Sequence, residues 1–254
     1  MEEWITSPES NMSHKKRRER KAKSVNGEGL SETRRVQNYT VHLEAKTENQ
    51  KKYIQSIKDN TIVFVTGPAG SGKSFVALAY ALGLLATNQI EKIVIIRPLV
   101  QTKYNESKFV GALPGSLNDK VKEYLMGVWD SASVAISKEY MNNIVTQGIV
   151  EILPLSLVRG RSFHKSFVIV EEAQNIDAQS DAMRMVLTRI GQDSKMVING
   201  DISQSDLPDG KKSALEDAIK RFKDTPEFGI VKLEKVDIQR NGIIKVILDK
   251  YEKA

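Results

Sequence analysis

Between residues 67 and 74 the chain reads Gly-Pro-Ala-Gly-Ser-Gly-Lys-Ser, directly after the apolar run Ile62-Val63-Phe64-Val65 and before a long apolar stretch reaching Leu85. This is G-x-x-x-x-G-K-[ST] in a strand, loop, helix setting, and no other feature constrains the chain as tightly. Glycines let backbone wrap closely around a phosphate, successive N–H groups point inward, and the next helix offers its positive N-terminal end. Gly67, Pro68, Ala69, Gly70, Ser71, Gly72, Lys73 and Ser74 are therefore the expected nucleotide-binding residues. Lys73 is expected to neutralise the β and γ phosphates. Ser74 is expected to give its hydroxyl oxygen to Mg²⁺, whose shell is otherwise mainly water and phosphate oxygens. The cofactors implied are ATP and Mg²⁺.

Such a site also needs an acid at the end of a buried strand. Phe167-Val168-Ile169-Val170 is apolar enough for a central parallel strand, and it runs into Glu171-Glu172. Glu171 is the expected metal-side acid, acting through water, and Glu172 the residue that orients and helps deprotonate the attacking water. The usual first acid is aspartate, so Glu171 adds one methylene, and ATP binding with slow turnover stays open as an alternative to brisk hydrolysis. A further apolar strand, Met196-Val197-Ile198, leads through Asn199 into Gly200-Asp201-Ile202-Ser203-Gln204. A strand ending in Gly-Asp-x-x-Gln resembles the place where superfamily 1 helicases keep the residue that senses the γ-phosphate. The resemblance implies that Gln204 holds the lytic water or reports phosphate loss, although a plain turn after a core strand would read the same way.

The fold class these signals define is α/β, a mainly parallel sheet flanked by helices. Strands are expected near 61–66, 93–97, 149–153, 166–171, 195–199 and 230–235, alternating with helices near 73–86, 117–130, 178–190, 211–223 and 241–252. Ahead of them, Tyr39 to Leu43 alternates as a short strand would. Thr47 with Gln50 then opens a helix running to about Lys58, in capping-box spacing. ATP is expected at the C-terminal edge of the sheet.

Composition narrows the rest. No apolar run approaches the roughly 20 residues needed to cross a bilayer, and the start Met1-Glu2-Glu3-Trp4 has no apolar segment behind a basic one. The chain has no cysteine, which excludes disulfides and thiolate metal sites and fits a cytoplasmic location. The net charge of +6 favours an anionic partner, and the excess gathers in KKRRERKAK from Lys15 to Lys23. That run lies in a Ser-, Asn-, Gly- and Glu-rich stretch with too little apolar surface to fold alone. Residues 1–38 are thus expected to be a basic, disordered arm and 39–254 an ATPase domain. The arm is either a solvated tail or an electrostatic contact for RNA or single-stranded DNA phosphates.

Several blocks, taken together, resemble a known family. Lys46-Thr47-Glu48-Asn49-Gln50, the loop from Gly67 to Ser74, Arg97-Pro98, Leu113-Pro114-Gly115, Arg159-Gly160-Arg161, Glu172-Ala173-Gln174-Asn175, Leu187 to Gly191 and Gly200-Asp201 through Leu207-Pro208 occur in the order seen in PhoH-like, phosphate-starvation-inducible ATPases. The resemblance covers roughly residues 40 to 253. It implies a single RecA-like core with superfamily 1 helicase motifs, ATPase activity, a link to RNA or single-stranded nucleic acid, and assembly into a homo-oligomer, a hexameric ring being the expected form. It further implies that Gln50 reads the adenine edge, that Arg240 touches the γ-phosphate, that Gln204 is the phosphate sensor and that Arg97 meets a nucleic-acid backbone. Each of these residues also reads as an ordinary polar surface residue. Arg159 and Arg161 are open between a finger acting in trans, a nucleic-acid contact and solvated arginines. The segment Gln101 to Phe109 departs from the family pattern, so no contact is carried over to it. Two function classes follow: an ATP-driven remodeller or translocase on single-stranded nucleic acid, and a nucleotide-gated binding or regulatory module.

Overall fold

The computed structural model describes residues 3–5, 41–98, 136–239 and 250. Glu3–Ile5 (β1) and Val41–Leu43 (β2) form an antiparallel ribbon, Trp4 opposite His42. Glu3–Ile5 lies inside the stretch expected to be an unfolded arm, yet it pairs, giving the backbone of the short β2 edge a partner. Helix α1 (Glu48–Asp59) starts as expected: Thr47 is its N-cap and accepts from Gln50 N, with Glu48 in the first turn. The reciprocal half of the capping box differs, because the Gln50 side chain accepts from Lys46 N instead of the cap residue.

Ile62–Thr66 (β3), Lys92–Arg97 (β4), Val150–Pro154 (β5), Ser166–Val170 (β6), Lys195–Gly200 (β7) and Phe228–Lys232 (β8) make one sheet in the order β5-β4-β6-β7-β3-β8, every neighbour parallel. The inner strands are buried on both faces, which is why their sequences are nearly continuous in Val, Ile and Phe. Val63, Val65, Ile93, Ile95 and Ile169 face a core shared with α1, with α2 (Lys73–Ala86) and with α3 (Lys138–Thr146). Phe64, Val94, Ile96, Val168 and Ile198 face the other core, shared with α4 (Ala182–Leu187) and α5 (Ala214–Phe222).

Chain direction and handedness explain the division. The β3-to-β4 and β4-to-β5 connections run one way across the sheet with α2 and α3 on one face. The β6-to-β7 and β7-to-β8 connections run the opposite way with α4 and α5 on the other, as right-handed crossovers require. Connections therefore diverge beside β3, β7 and β6, and the crevice at their C-terminal ends is where such sheets bind ligands. Phe222 stacks on Phe228 at a centroid distance of 4.3 Å, pinning α5 to β8.

Boundaries depart from expectation in places. Helix α4 is shorter than 178–190 because Asp177 and Ser180 form a turn before it and Arg189 onward leaves to meet Phe163. Strand β8 begins at Phe228, two residues earlier than expected, and α3 was not expected at all. Tyr39, Thr40, the basic run, the 117–130 helix, the 241–252 helix except residue 250, Gln101 to Phe109, Leu113-Pro114-Gly115 and Arg240 lie outside the described residues.

Candidate nucleotide site

The loop after β3 takes its shape from three glycines at positive φ: Gly67 at 155°, Gly70 at 81° and Gly72 at 96°. A Cβ at Gly67 would meet the Leu233 carbonyl oxygen at 2.6 Å, and one at Gly72 would meet Gln50 Nε2 at 2.8 Å, so neither position tolerates a side chain. Lys73 opens α2, and its ammonium folds back over the loop onto the carbonyls of Gly67 (2.6 Å) and Pro68 (3.0 Å). The first-turn N–H groups of α2 have no acceptor within the helix. Cradle, ammonium and helix end thus converge on one point.

Beside them, Ser74 Oγ donates to Glu171 Oε2 at 2.8 Å, bridging α2 to the end of β6. Asn199, wholly buried on β7, donates from Nδ2 to Glu171 Oε1 at 3.0 Å. Burial pushes the Glu171 carboxyl above the usual glutamate range. The Asn199 and Ser74 hydrogen bonds and the Lys73 charge oppose that rise, while the Glu172 charge adds to it. The Tyr53 hydroxyl of α1 lies 3.3 Å from both Asn199 Oδ1 and the Lys73 carbonyl, one proton between two acceptors. Burial, with the Glu171 charge, holds that phenol well above its ordinary pKa, so it stays a neutral donor.

Glu172 goes elsewhere. Its φ of 53° is left-handed and breaks the strand, so the second acid turns out of the β6 line. Arg97 Nη2 at the end of β4 is 3.7 Å from Glu172 Oε1, and Gln174 Nε2 donates to Oε2 at 2.6 Å. Gln174 is buried, and its Oε1 accepts from Asp201 N at 3.0 Å while its Nε2 reaches the Gln204 carbonyl at 3.4 Å. One amide therefore links the candidate base to the turn after β7. Asp201 is buried there: Oδ1 accepts from Ser203, while Oδ2 has no hydrogen-bond partner among the described residues. The Gln204 side chain is exposed beside it.

The other expected site residues divide. Gln50 is only 3% exposed, its Oε1 taken by Lys46 N (2.8 Å) and its Nε2 by the Ser71 carbonyl (2.9 Å), so both ends of its amide are occupied by protein. Arg161 makes a two-pronged contact with Glu151 (2.7 and 2.8 Å) and lies over the Phe163 ring, while Arg159 is exposed. Asn199, Gln174 and Tyr53 carry no role that the sequence alone assigns. For Asn199 and Gln174 the available signal was polarity inside or just after an apolar strand, which marks the residue but not its partner, and Tyr53 on α1 carried none.

The residues present fit a magnesium nucleotide. Ser74 and Glu171 supply two oxygen donors, and among the described residues no cluster of three or more His, Asp or Glu could hold an ion by itself. Two oxygen donors suit a cation which keeps most of its shell as water and phosphate oxygens. The strand-borne acid, the glycine cradle and the lysine at a helix start, set in a parallel sheet, define a P-loop nucleoside triphosphatase core. More specifically, the chain belongs to the PhoH-like family: the family described as "PhoH-like protein" matches residues 42–252.

Relatives include a "PhoH-like protein" of Mycobacterium tuberculosis, 38% identical over 82% of this chain and 57% of its own length. Others are the Bacillus subtilis "PhoH-like protein" (36%, covering 83% and 64%) and Escherichia coli "Protein PhoH" (35%, covering 82% and 57%). The chain thus spans about three fifths of the length of these relatives. Among solved structures, a Sulfolobus solfataricus SWI2/SNF2 ATPase core in complex with dsDNA aligns at TM-score 0.44 and 12% identity, over 77% of this chain and 45% of that one. Pif1 helicase from Candida albicans aligns at TM-score 0.35 and 12% identity, over 76% and 40%. No helix among the described residues is long and apolar enough to cross a membrane.

Proposed function

We propose that this protein binds and hydrolyses ATP with Mg²⁺ and couples the cycle to RNA or single-stranded nucleic acid. The observation that carries the reading is the divergence of two consecutive acids: Glu171 turns inward to Ser74, and Glu172 outward to Arg97 and Gln174. When bound, Mg²⁺ supplies neutralisation of charge on the phosphate oxygens. Lys73 leaves the Gly67 and Pro68 carbonyls for the phosphates, and Ser74 with Glu171 frames the cation side. Glu172 accepts the proton of the attacking water, held in orientation by Gln174. Through Gln174 the same contact reaches Asp201 and Gln204, which gives phosphate loss a route to the turn after β7. Arg240 supplies positive charge toward the γ-phosphate, and Gln50 reads the adenine edge only by exchanging its Lys46 and Ser71 contacts for the base. A single core cannot walk along a strand, so translocation requires a second motor domain or a ring, a homo-hexamer in the form the family resemblance suggests.

Glu172→Gln tests the chemistry. This variant should bind ATP as the parent does and hydrolyse it about 10²- to 10⁴-fold more slowly in single-turnover assays, the range for a positioned acid or base. Parent-like turnover would remove Glu172 from the chemical step. A second reading, a nucleotide-gated module with slow turnover, is favoured by the burial of Glu171 and its direct hold on Ser74. Turnover with and without RNA separates the two: stimulation supports the motor, and tight ATP binding with no hydrolysis supports the gate.

A further inference from the structure

Asp237 is fully buried and lies apart from the groups that face phosphate. It ends the short turn Lys235–Asp237 that follows β8. Its carboxylate accepts from the Thr47 hydroxyl, from Asn49 Nδ2 at 2.9 Å and from Glu234 N at 2.6 Å. All three donors are neutral. Burial raises the pKa of this acid, but the bonds from Thr47, Glu234 N and Asn49 outweigh it and hold the carboxyl below the usual aspartate range. Taking a carboxylate out of water is costly, and apolar packing of the same volume often stabilises a fold as well. A buried acid serving two distant chain segments therefore suggests a positional role.

The two segments Asp237 joins are the two that grip the outer side of the phosphate loop. From α1, Thr47 caps the helix by accepting from Gln50 N at 3.2 Å, and Gln50 Nε2 donates to the Ser71 carbonyl at 2.9 Å. From the other side, Gln239, two residues beyond Asp237, donates its backbone N–H to the Gly70 carbonyl at 3.1 Å. Adjacent peptides of the loop are thus held by two separate segments, and the holders meet at one carboxylate. We propose that Asp237 is a positioning residue for the phosphate loop, locking the first turn of α1 to the segment after β8 so that Gln50 and Gln239 present the Gly70-Ser71 backbone in the nucleotide-binding conformation. This rests on the nucleotide-site reading above. In it, Gln50 acts first as a brace for the loop.

The test is affinity for a fluorescent ADP analogue with Mg²⁺, measured on the full chain well below its melting temperature, with melting followed in parallel. Asp237→Asn keeps the shape but turns an amide toward the Asn49 and Glu234 donors, and affinity should fall about tenfold, as displaced site geometry costs. Gln50→Ala should cost a similar factor. The double variant should be little weaker than either single one, where independent effects would multiply to about a hundredfold. If Asp237→Asn fails to fold, Thr47→Val carries the test, since it removes one donor and leaves the acid. Variants that melt earlier yet bind within twofold of the parent would reduce Asp237 to a purely structural role, and multiplying effects of the Asp237 and Gln50 changes would break the proposed frame. A parent protein that binds no nucleotide would sink the nucleotide-site reading itself.

Discussion

Glutamate at a position where a shorter acid is usual must place an extra methylene, and at residue 171 the added length is absorbed in a buried bond to Ser74 on one oxygen and Asn199 on the other. The arrangement favours function over stability, because a desolvated carboxylate held by neutral Asn199 and Ser74 resists ionising. The sign follows from its raised folded pKa. Glu171's contribution to stability is fully present below its unfolded value, about 4.3, and is lost as pH rises through the elevated folded value. Glu171→Gln removes the titration while keeping an acceptor for Asn199. The unliganded variant should therefore melt a few degrees above the parent at neutral pH, on the scale of about 2–4 °C per kcal/mol for a protein of this size. The gap should close on acidification toward pH 4, and the Mg²⁺-dependent part of nucleotide affinity should be lost. Equal melting at all pH values would mean Glu171 ionises as freely in the folded chain as in the unfolded one. The same residues mark what a linear pattern conveys. Gly67 to Ser74 and Glu171-Glu172 announce themselves by spacing, since each motif is contiguous. Tyr53 and Asn199 meet across 146 residues and Thr47 and Asp237 across 190, so no local pattern signals them.

Strand β7 lies between the loop strand β3 and the acid strand β6, and its last residues serve both neighbours: Asn199 holds Glu171, Gly200 accepts from Gly67 N, and Asp201 N donates to Gln174. Close approach at that end depends on Gly200. A Cβ there would lie 2.4 Å from Leu215 Cδ2, 2.9 Å from Gln174 Oε1 and 3.1 Å from Gln174 N. Leu215 can rotate away, but the backbone of residue 174 cannot. Gly200→Ala should thus cost about 1–3 kcal/mol by overpacking, read as a lower melting temperature. ATP turnover should fall more than nucleotide affinity, because Gln174 orients Glu172 and does not touch the cradle. Unchanged turnover would show that Gln174 is not part of the catalytic arrangement. At this scale the strands buried on both faces were legible as apolar runs. Helix α3 was not, since five of the nine residues of KEYMNNIVT are polar and, of those described, only Met141 and Ile144 are fully buried, with Tyr140 and Val145 packed partly against the core. Edge strand β8 was shifted because only Gly229 and Val231 of its five residues are buried, too short an alternation to fix its start.

For the molecule as a whole, charge is the property that no single element explains. The nine residues from Lys15 to Lys23 hold seven cations and one carboxylate, a net +6 that equals the net charge of the entire chain, so all remaining residues balance to zero. Any long-range attraction of the protein to polyanions is therefore concentrated in that run, and contacts elsewhere depend on local geometry such as Arg97 beside Glu172. Deleting residues 1–30 would confuse the issue, because it also removes β1 and uncovers the edge of β2. Replacing the seven cations of the run by Gln leaves β1 in place and isolates the electrostatics. If these cations neutralise phosphates, the variant should bind single-stranded RNA more weakly whatever its sequence, and the slope of log affinity against log salt should flatten by about 0.7 for each single-strand phosphate no longer neutralised. Affinity for the fluorescent ADP analogue should be unchanged, since Gly67 to Ser74 is untouched. A salt titration of RNA affinity for parent and variant decides it: parallel slopes would leave the run a solvated tail and move nucleic-acid binding to arginines on the core such as Arg97 and Arg159.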